Sequence, residues 1–287
     1  MLLASEPAGV PSADAVMARA GGENFPVASR VLPRRLRAHL LAIYGFARLV
    51  DQLGDAGEGD RLHALDSLEE DLDRAFEGRA THPLLQRLSQ TITDCSLTRE
   101  PFVRLIEANR MDQRVSRYET WEELRGYCAL SADPVGELVL TVFGVATPER
   151  IAYSDSICTA LQLIEHSQDV AEDLRAGRVY LPAEDLRRFG CTIEELADAH
   201  AGEPLRGVIG FEVERARRLL AEGTPLVGEL RGRARFAVAA FLAGGLAALG
   251  AIERAGFDVL AGAPTASSRR RLFALASVLA QRRPRPV

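Results

Sequence analysis

The stretch LQLIEHSQDVAEDLRAGRVYLPAEDLRRFG, residues 161–190, carries two aspartates, Asp169 and Asp173, that are four positions apart. On an α-helix this spacing places both carboxylates on one face, roughly one turn apart. Glu172 lies beside them, and apolar residues recur through the stretch at helical spacing. A cluster of acids against an apolar stripe costs free energy unless a cation neutralises it. Magnesium suits such a site, because it usually binds one or two carboxylates and completes its shell with water and phosphate oxygens.

A second pair with the same spacing, Asp51 and Asp55, follows the run LLAIYGFARLV at residues 40–50. That run is apolar on nearly every side, which favours a buried helix that ends in acids. In a chain that is 26% charged, a single pair is usually an exposed helix face, whereas two pairs after buried helices favour a metal site. We expect the two helices to face each other across a cavity that holds metal ions and a diphosphate. The predicted metal ligands are Asp51, Asp55, Asp169, Asp173 and, as a lesser candidate, Glu172.

Length and composition set the class of protein. The 287 residues are 47% hydrophobic, which is typical of a soluble globular chain with a sizeable core. No apolar run reaches the roughly 18 residues that span a bilayer, and no signal-peptide pattern opens the sequence. The net charge of -5 argues against nucleic-acid binding. Four widely spaced cysteines predict reduced thiols in a cytoplasmic protein, namely Cys95, Cys128, Cys158 and Cys191.

Helical periodicity dominates the chain, and no sustained alternation with a period of two residues is bounded by hairpin turns. The predicted class is therefore all-α, as a single domain over residues 23–287. Residues 1–22 are rich in small residues and are predicted to form a loose N-terminal segment. Long helices are predicted over residues 34–52, 148–176 and 269–282.

Five stretches resemble the squalene/phytoene synthase family of head-to-head prenyl transferases, in that family's order and spacing. They are ENFPVASRVLP (23–33), YGFARLVDQLGD (44–55), YCALSADPVGELVL (127–140), LQLIEHSQDVAEDLRAGRVYLP (161–182) and, more weakly, AAFLAGGLAALGAIERAGFDVL (239–260). Within the family, three motifs look most like the hydroxysqualene synthases of the three-enzyme hopanoid route, namely ENFPVAS, SADPVG and QDVAEDLRAGRVYLPAEDLRRFG. The resemblance implies an isoprenoid-synthase-type helical bundle around a central apolar cavity.

The resemblance also implies a reaction. A hydroxysqualene synthase ionises presqualene diphosphate with the help of Mg²⁺ and captures the cation with water, so NADPH is not expected. One alternative is a sibling enzyme that condenses two prenyl diphosphates, such as farnesyl diphosphate, to presqualene diphosphate, squalene or phytoene. The other alternative is an inactive helical scaffold that assembles with other enzymes of the pathway. Magnesium-dependent release of diphosphate from presqualene diphosphate separates the enzyme from the scaffold.

The same resemblance assigns a substrate-binding role to five side chains. They are Phe25, Arg48, Gln162, Arg178 and Tyr180. Arg48 lies three residues before Asp51, so its spacing alone fits either an ion pair or a diphosphate contact. Tyr127 is either a core tyrosine or, as the resemblance implies, a ring face that stabilises the carbocation. The predicted catalytic residues are Asp51, Asp55, Asp169, Asp173 and Tyr127.

Three positions depart from the pattern common in the family. Gln52 stands where a second acid often follows the first, Glu165 where asparagine is common, and Gln168 where arginine is common. Glu165 adds negative charge and is a further candidate metal ligand, whereas Gln168 removes a phosphate contact. His39 and His166 are not predicted to bind metal, because neither has a second histidine at the spacing of zinc ligands.

The C-terminal residues 259–287 contain six arginines and no acid. Between the arginines lies an apolar stripe that consists of Leu272, Phe273, Leu275, Val278 and Leu279. One interpretation is a last core helix with a basic tail. The other is that residues 269–285 make peripheral contact with an anionic membrane, at the inner face of the cytoplasmic membrane.

Overall fold

A computed structural model of the protein describes residues 32–55 and 60–280. Several predictions fall wholly or partly outside these residues. They are the loose segment at residues 1–22, the substrate contact of Phe25, both ends of the single domain predicted over residues 23–287, and the ends of the helix predicted over 269–282 and of the membrane contact predicted over 269–285.

The described chain is built from α-helices, numbered here in chain order. They are α1 (Arg34–Asp55), α2 (Arg61–Phe76), α3 (Pro83–Cys95), α4 (Glu100–Asp112), α5 (Trp121–Ser131), α6 (Asp133–Val142), α7 (Pro148–Gln168), α8 (Val170–Arg175), α9 (Ala183–Phe189), α10 (Glu203–Gly223), α11 (Pro225–Glu229), α12 (Gly232–Arg254) and α13 (Ser268–Ala280). A 3₁₀ turn at Glu194–Ala197 lies between α9 and α10. Within the described residues the only β-pairing is an isolated bridge between Arg117 and Val179. The predicted all-α class is therefore confirmed.

The helix predicted over residues 148–176 is interrupted, so this part of the prediction is wrong. Asp169 separates α7 from α8 and has φ -102° and ψ 16°. Its amide still donates to the Glu165 carbonyl at 2.9 Å, but its own carbonyl accepts from both Glu172 and Asp173, each at 2.8 Å. A hydrogen bond over three residues tightens the backbone and marks a local departure from α-helical geometry. Asp169 is consequently the junction between two helices, and Asp173 belongs to the second of them.

Two compact units divide the described chain. One contains the residues up to Arg114 together with Glu137–Ala146, and the other contains Val115–Gly136 and the residues from Thr147 onward. The prediction of a single domain over residues 23–287 stays a prediction. None of the four cysteines forms a disulfide in the structure, and the predicted compartment stays a prediction.

In the first unit α1 packs against α2, α3 and α4. Phe46 of α1 and Phe102 of α4 are fully buried and meet edge to face, with their ring centroids 5.1 Å apart. Asp71 of α2 is also buried, and it accepts hydrogen bonds from the backbone amides of Thr81 and His82, each at 2.9 Å. These bonds satisfy the carboxylate and fix the connection between α2 and α3. The acid pair at the end of α1 is thus carried by a helix with a firmly packed inner face.

In the second unit α7 packs along α10, and α12 packs against α7, α10, α11 and α13. Gly245 of α12 lies at one of these contacts, since a Cβ atom there would stand 2.7 Å from Leu161 Cδ2. α12 is long and apolar enough to cross a membrane by length and composition, the one such helix in the described chain. However, 56% of its apolar window is buried inside the structure. Its contacts identify α12 as a core helix of this unit.

α10 carries a buried acid that the sequence analysis did not single out. Glu212 is fully buried, and Arg215 donates to its Oε1 and, at 2.8 Å, to Asp185 Oδ2 of α9. The Arg215 guanidinium also lies over the ring of Trp121, 4.7 Å from its centroid. Burial, together with the Asp185 carboxylate, raises the pKa of Glu212 to about 8 against the opposing effect of Arg215. Burial in the folded protein therefore favours the protonated form of Glu212.

The substitution Glu212→Gln is expected to make the free energy of unfolding less dependent on pH. The pKa of Glu212 is higher in the folded protein than in the unfolded chain. Its protonated carboxyl therefore contributes fully to the free energy of unfolding below about pH 4.5, and this contribution is lost as the pH rises toward about 8. Each pH unit in that window costs the wild type up to about 1.4 kcal/mol, whereas a glutamine does not titrate. Urea unfolding of wild type and Glu212→Gln at several pH values in the window measures the difference. A difference that stays constant with pH would contradict the raised pKa.

Candidate active site

A short backbone pairing brings two distant parts of the second unit together. The Val179 amide donates to the Ser116 carbonyl at 2.8 Å, and the Ala183 amide donates to the Tyr118 carbonyl at 2.9 Å. The pairing places the ring of Tyr118 beside that of Tyr180, with the centroids 6.0 Å apart. The loop that follows α8 is thereby held against the segment that precedes α5.

Three tyrosines and a histidine form a buried aromatic cluster at this point. The rings of His166 and Tyr180 stack with their centroids 3.8 Å apart and their planes 14° apart. Tyr127 lies 5.4 Å from Tyr180 and 5.5 Å from Tyr118, again by ring centroids. All four side chains are buried. The cluster brings the predicted residues Tyr127 and Tyr180 together, and π faces of this kind attract cations while the surrounding burial excludes water.

His166 also joins a polar chain that ends at the acidic turn. Its Nε2 lies 3.1 Å from the side-chain nitrogen of Gln162, and its Nδ1 lies 3.7 Å from Asp173 Oδ2. The Gln162 amide thus contacts one ring nitrogen of His166, and the other ring nitrogen faces the carboxylate of Asp173. The predicted pocket residue Gln162 therefore reaches the predicted metal ligand Asp173 through a histidine that the sequence analysis set aside.

Asp169 and Asp173 form an acidic turn with Glu172, whose side chain is exposed. Burial, followed by the carboxylates of Asp173 and Glu172, raises the pKa of Asp169, while His166 opposes the shift. Burial and the two neighbouring carboxylates thus disfavour the ionised form of Asp169 when no cation is bound. No three His, Cys, Asp or Glu side chains of the described chain come close enough to hold a metal ion by themselves. The donors nevertheless fit Mg²⁺, which takes one or two carboxylates and obtains its other oxygens from water and phosphate.

The turn after α8 places Arg178 beside the acids. Gly177 has φ +80°, a conformation that glycine adopts without strain, and the Arg178 amide donates to the Asp173 carbonyl at 2.8 Å. Arg178, Asp173, His166 and Tyr180 line a cavity of about 10 Å³, which is close to the smallest space that holds a water molecule. The predicted diphosphate contact and the predicted metal ligand therefore share one cavity wall.

The other acid pair lies in the first unit, at the end of α1. Arg48 Nη1 is 3.6 Å from Asp51 Oδ2, so the two side chains form the ion pair that their spacing allows. The diphosphate contact of Arg48 stays a prediction. Asn109 of α4 donates to Asp51 Oδ1 at 3.4 Å and orients the carboxylate from its other side. The side chain of Asp51 is 45% exposed and so accessible to a ligand. Asp55 is the last residue of α1, and its side chain lies outside the described part of the chain.

Comparison with known proteins identifies the family to which these features belong. The sequence model described as squalene/phytoene synthase matches residues 18–272. The chain belongs to the squalene/phytoene synthase family. It is 36% identical to the hydroxysqualene synthase of Rhodopseudomonas palustris over 73% of this chain and 72% of that protein. It is 33% identical to the phytoene synthase of Arthrospira platensis over 68% of either chain.

A solved structure supports the same assignment for the fold. The crystal structure of squalene synthase HpnC from Alicyclobacillus acidocaldarius has a TM-score of 0.78 and 48% sequence identity with this chain, and covers 84% of this chain and 92% of that one. The predicted type of helical fold is thereby confirmed. The squalene/phytoene synthase family uses prenyl diphosphates, so this chain is an enzyme of a family that uses prenyl diphosphates. The family generally depends on a divalent metal.

The three departures from the family's common pattern have different surroundings. Gln168 is buried, and its side-chain nitrogen donates to the Pro264 carbonyl, so it ties the end of α7 to the segment before α13. Glu165 is exposed on α7. Gln52 Oε1 is buried and accepts no hydrogen bond from the described residues. Gln168 therefore serves the structure, and the roles predicted for Glu165 and the predicted loss of a phosphate contact stay predictions.

The structure gathers many of the predicted site residues and adds others. In the second unit it brings together Gln162, Asp169, Asp173, Tyr127, Arg178 and Tyr180. His166, Tyr118 and Asn109 were not predicted. His166 had a usable signal, since it lies four residues after Gln162 and seven before Asp173, spacings that share a face in the continuous helix predicted over residues 148–176. The catalytic, metal-binding and substrate-binding roles of the predicted residues stay predictions.

Proposed function

We propose that the protein is a cytoplasmic hydroxysqualene synthase of hopanoid biosynthesis, which converts presqualene diphosphate and water to hydroxysqualene and diphosphate. The observation that carries this proposal is the direct junction of the aromatic cluster with the acidic turn. His166 makes that junction, since it stacks on Tyr180 at 3.8 Å and lies 3.7 Å from Asp173. The identity with the hydroxysqualene synthase of Rhodopseudomonas palustris supports the same reaction.

Each part of the site has a task in this reaction. Asp169 and Asp173 would hold Mg²⁺, which would supply Lewis-acid stabilisation of the departing diphosphate. Arg178 binds diphosphate oxygens, to which a planar guanidinium is well suited. The bond between carbon and the diphosphate oxygen breaks, and its electron pair leaves with the diphosphate. The π face of Tyr127, which packs against Tyr180, then stabilises the cyclopropylcarbinyl cation that remains.

Water ends the reaction. After the cation has rearranged to the head-to-head carbon skeleton, a water oxygen bonds to the cationic carbon. The proton that this water loses passes to the released diphosphate, so that atoms and charge balance. The burial of the aromatic cluster keeps other water molecules away from the cation. No hydride donor takes part, and NADPH is not required.

A sibling reaction is the second candidate. The identity with the phytoene synthase of Arthrospira platensis favours it, because an enzyme of that type would condense two prenyl diphosphates. The same acids and arginines would serve such a reaction, since both reactions ionise an allylic or cyclopropylcarbinyl diphosphate. The two candidates differ in the substrate that they consume and in the group that quenches the cation. The remaining alternative is an inactive helical scaffold that catalyses no reaction.

The products therefore test the proposal. Purified protein with Mg²⁺ is expected to convert presqualene diphosphate to a triterpene alcohol at a rate that NADPH does not change. Incubation in water enriched in oxygen-18 is expected to place the label in the hydroxyl group of the product. Squalene formed only with NADPH, or efficient consumption of farnesyl diphosphate alone, would assign the protein to the sibling reaction. Absence of diphosphate release from every substrate would favour the scaffold.

A further inference from the structure

α13 exposes two large apolar side chains next to each other. Leu272 is 68% exposed and Phe273 is 78% exposed. Among the described residues the next large apolar side chain in order of exposure is Leu62, at 37%. Neighbouring exposed apolar side chains of this size indicate a surface that is covered in the working state of a protein.

The same surface includes an open groove between α12 and α13. Its volume is about 320 Å³, and Phe273 forms part of one wall. Three arginines also line it, namely Arg254 of α12 and Arg269 and Arg270 of α13. Arg269 and Arg270 are exposed, so their guanidinium groups are accessible to anions outside the protein. The groove therefore combines an apolar wall with a row of positive charges.

Among the described residues, α13 itself has no acid, and the two acids that precede it most closely in the chain are paired with other side chains. Glu253 of α12 is already paired with Arg217, and Asp258 is paired with His200 and Arg206. The whole chain has a net charge of -5, so a general attraction to anionic surfaces does not arise from composition. The arginines around α13 would instead attract anionic lipid locally and orient the protein.

We propose that α13 docks the protein on a membrane that contains anionic lipid. Leu272 and Phe273 enter the boundary between head groups and acyl chains, while Arg254, Arg269 and Arg270 lie among the lipid phosphates. Charge complementarity favours this occupant over a second copy of the chain, because two copies of the surface would bring arginines against arginines. The proposal concerns a surface outside the acidic turn and does not depend on which prenyl diphosphate the enzyme uses.

Sedimentation of the full chain with lipid vesicles tests the proposal. Binding is expected to vesicles of phosphatidylcholine mixed with phosphatidylglycerol, and to weaken strongly between about 0.1 M and about 1 M salt as charges become screened. Vesicles of phosphatidylcholine alone should bind far less. The double variant Arg269→Gln/Arg270→Gln is expected to lower the partition coefficient by about 30-fold. Leu272→Ser/Phe273→Ser is expected to lower it by about tenfold or more.

Matched controls separate this surface from the rest of the protein. Arg87→Gln/Arg125→Gln removes the same charge from exposed arginines elsewhere, and Leu62→Ser removes another exposed leucine. Both controls should bind vesicles as the wild type does, and unchanged circular dichroism should show that all variants are folded. Absence of binding to anionic vesicles, or equal losses in the controls, would overturn the proposal. So would a wild-type dimer that Leu272→Ser/Phe273→Ser abolishes without any change in vesicle binding.

Discussion

Asp169→Asn is expected to lower kcat by about a hundredfold or more while the protein stays folded. The substitution keeps the volume of the side chain and removes one charged oxygen ligand for Mg²⁺. Asp51→Asn is expected to have an effect of the same order, because it removes the corresponding ligand of the first acid pair. Steady-state release of diphosphate from presqualene diphosphate at saturating Mg²⁺ measures both effects.

A loss of activity in Asp169→Asn is not expected to come from unfolding. Burial and the carboxylates of Asp173 and Glu172 raise the pKa of Asp169, so its charge opposes folding when no metal is bound. Asp169→Asn should therefore unfold no more easily than the wild type in the presence of a chelator. Asp198→Asn is the matched control, since it changes an exposed acid outside the acidic turn and should leave turnover unchanged. Full activity in both Asp169→Asn and Asp51→Asn would reject the assignment of these aspartates as metal ligands.

Gly223→Ala is expected to lower the free energy of unfolding by about 1–3 kcal/mol. Gly223 is buried at the contact between α10 and α7, and a Cβ atom there would stand 2.4 Å from Ile157 Cγ1 and 2.7 Å from the Tyr153 carbonyl oxygen. A backbone oxygen cannot move aside as a flexible side chain can, so the two helices must separate. Urea denaturation measures the loss, and Gly223→Val should enlarge it because the side chain is bulkier.

The control for this prediction is a helical glycine with space around it. Gly126 of α5 is exposed, and nothing lies within 4 Å of the position that its Cβ would occupy. Gly126→Ala should raise stability by about 0.5–1 kcal/mol, because alanine favours the helix and restricts the unfolded chain. A loss of stability in Gly126→Ala as large as that in Gly223→Ala would show that close packing of α10 on α7 is not the cause.

Local patterns in the sequence were sufficient for the helical class and for much of the site. The repeat of an α-helix relates residues that are three, four or seven positions apart, so a sequence states which side chains share a face. For this reason the long helix ending in Asp51 and Asp55 was predictable, and so was the proximity of Asp169 to Asp173. The short motifs around these acids also predicted the family of the chain, and the match over residues 18–272 confirms that prediction.

Contacts between segments far apart in the chain were decided only by the tertiary structure. Asn109 reaches Asp51 across 58 positions, and Gln168 reaches the Pro264 carbonyl across 96. The stacking of His166 on Tyr180 likewise requires the turn after α8 to fold back and to pair with the segment that contains Ser116. The burial that raises the pKa of Glu212 has the same origin. Helical periodicity fixes the face on which a side chain lies, whereas its partner depends on which helices pack together, and packing is a property of the whole folded unit.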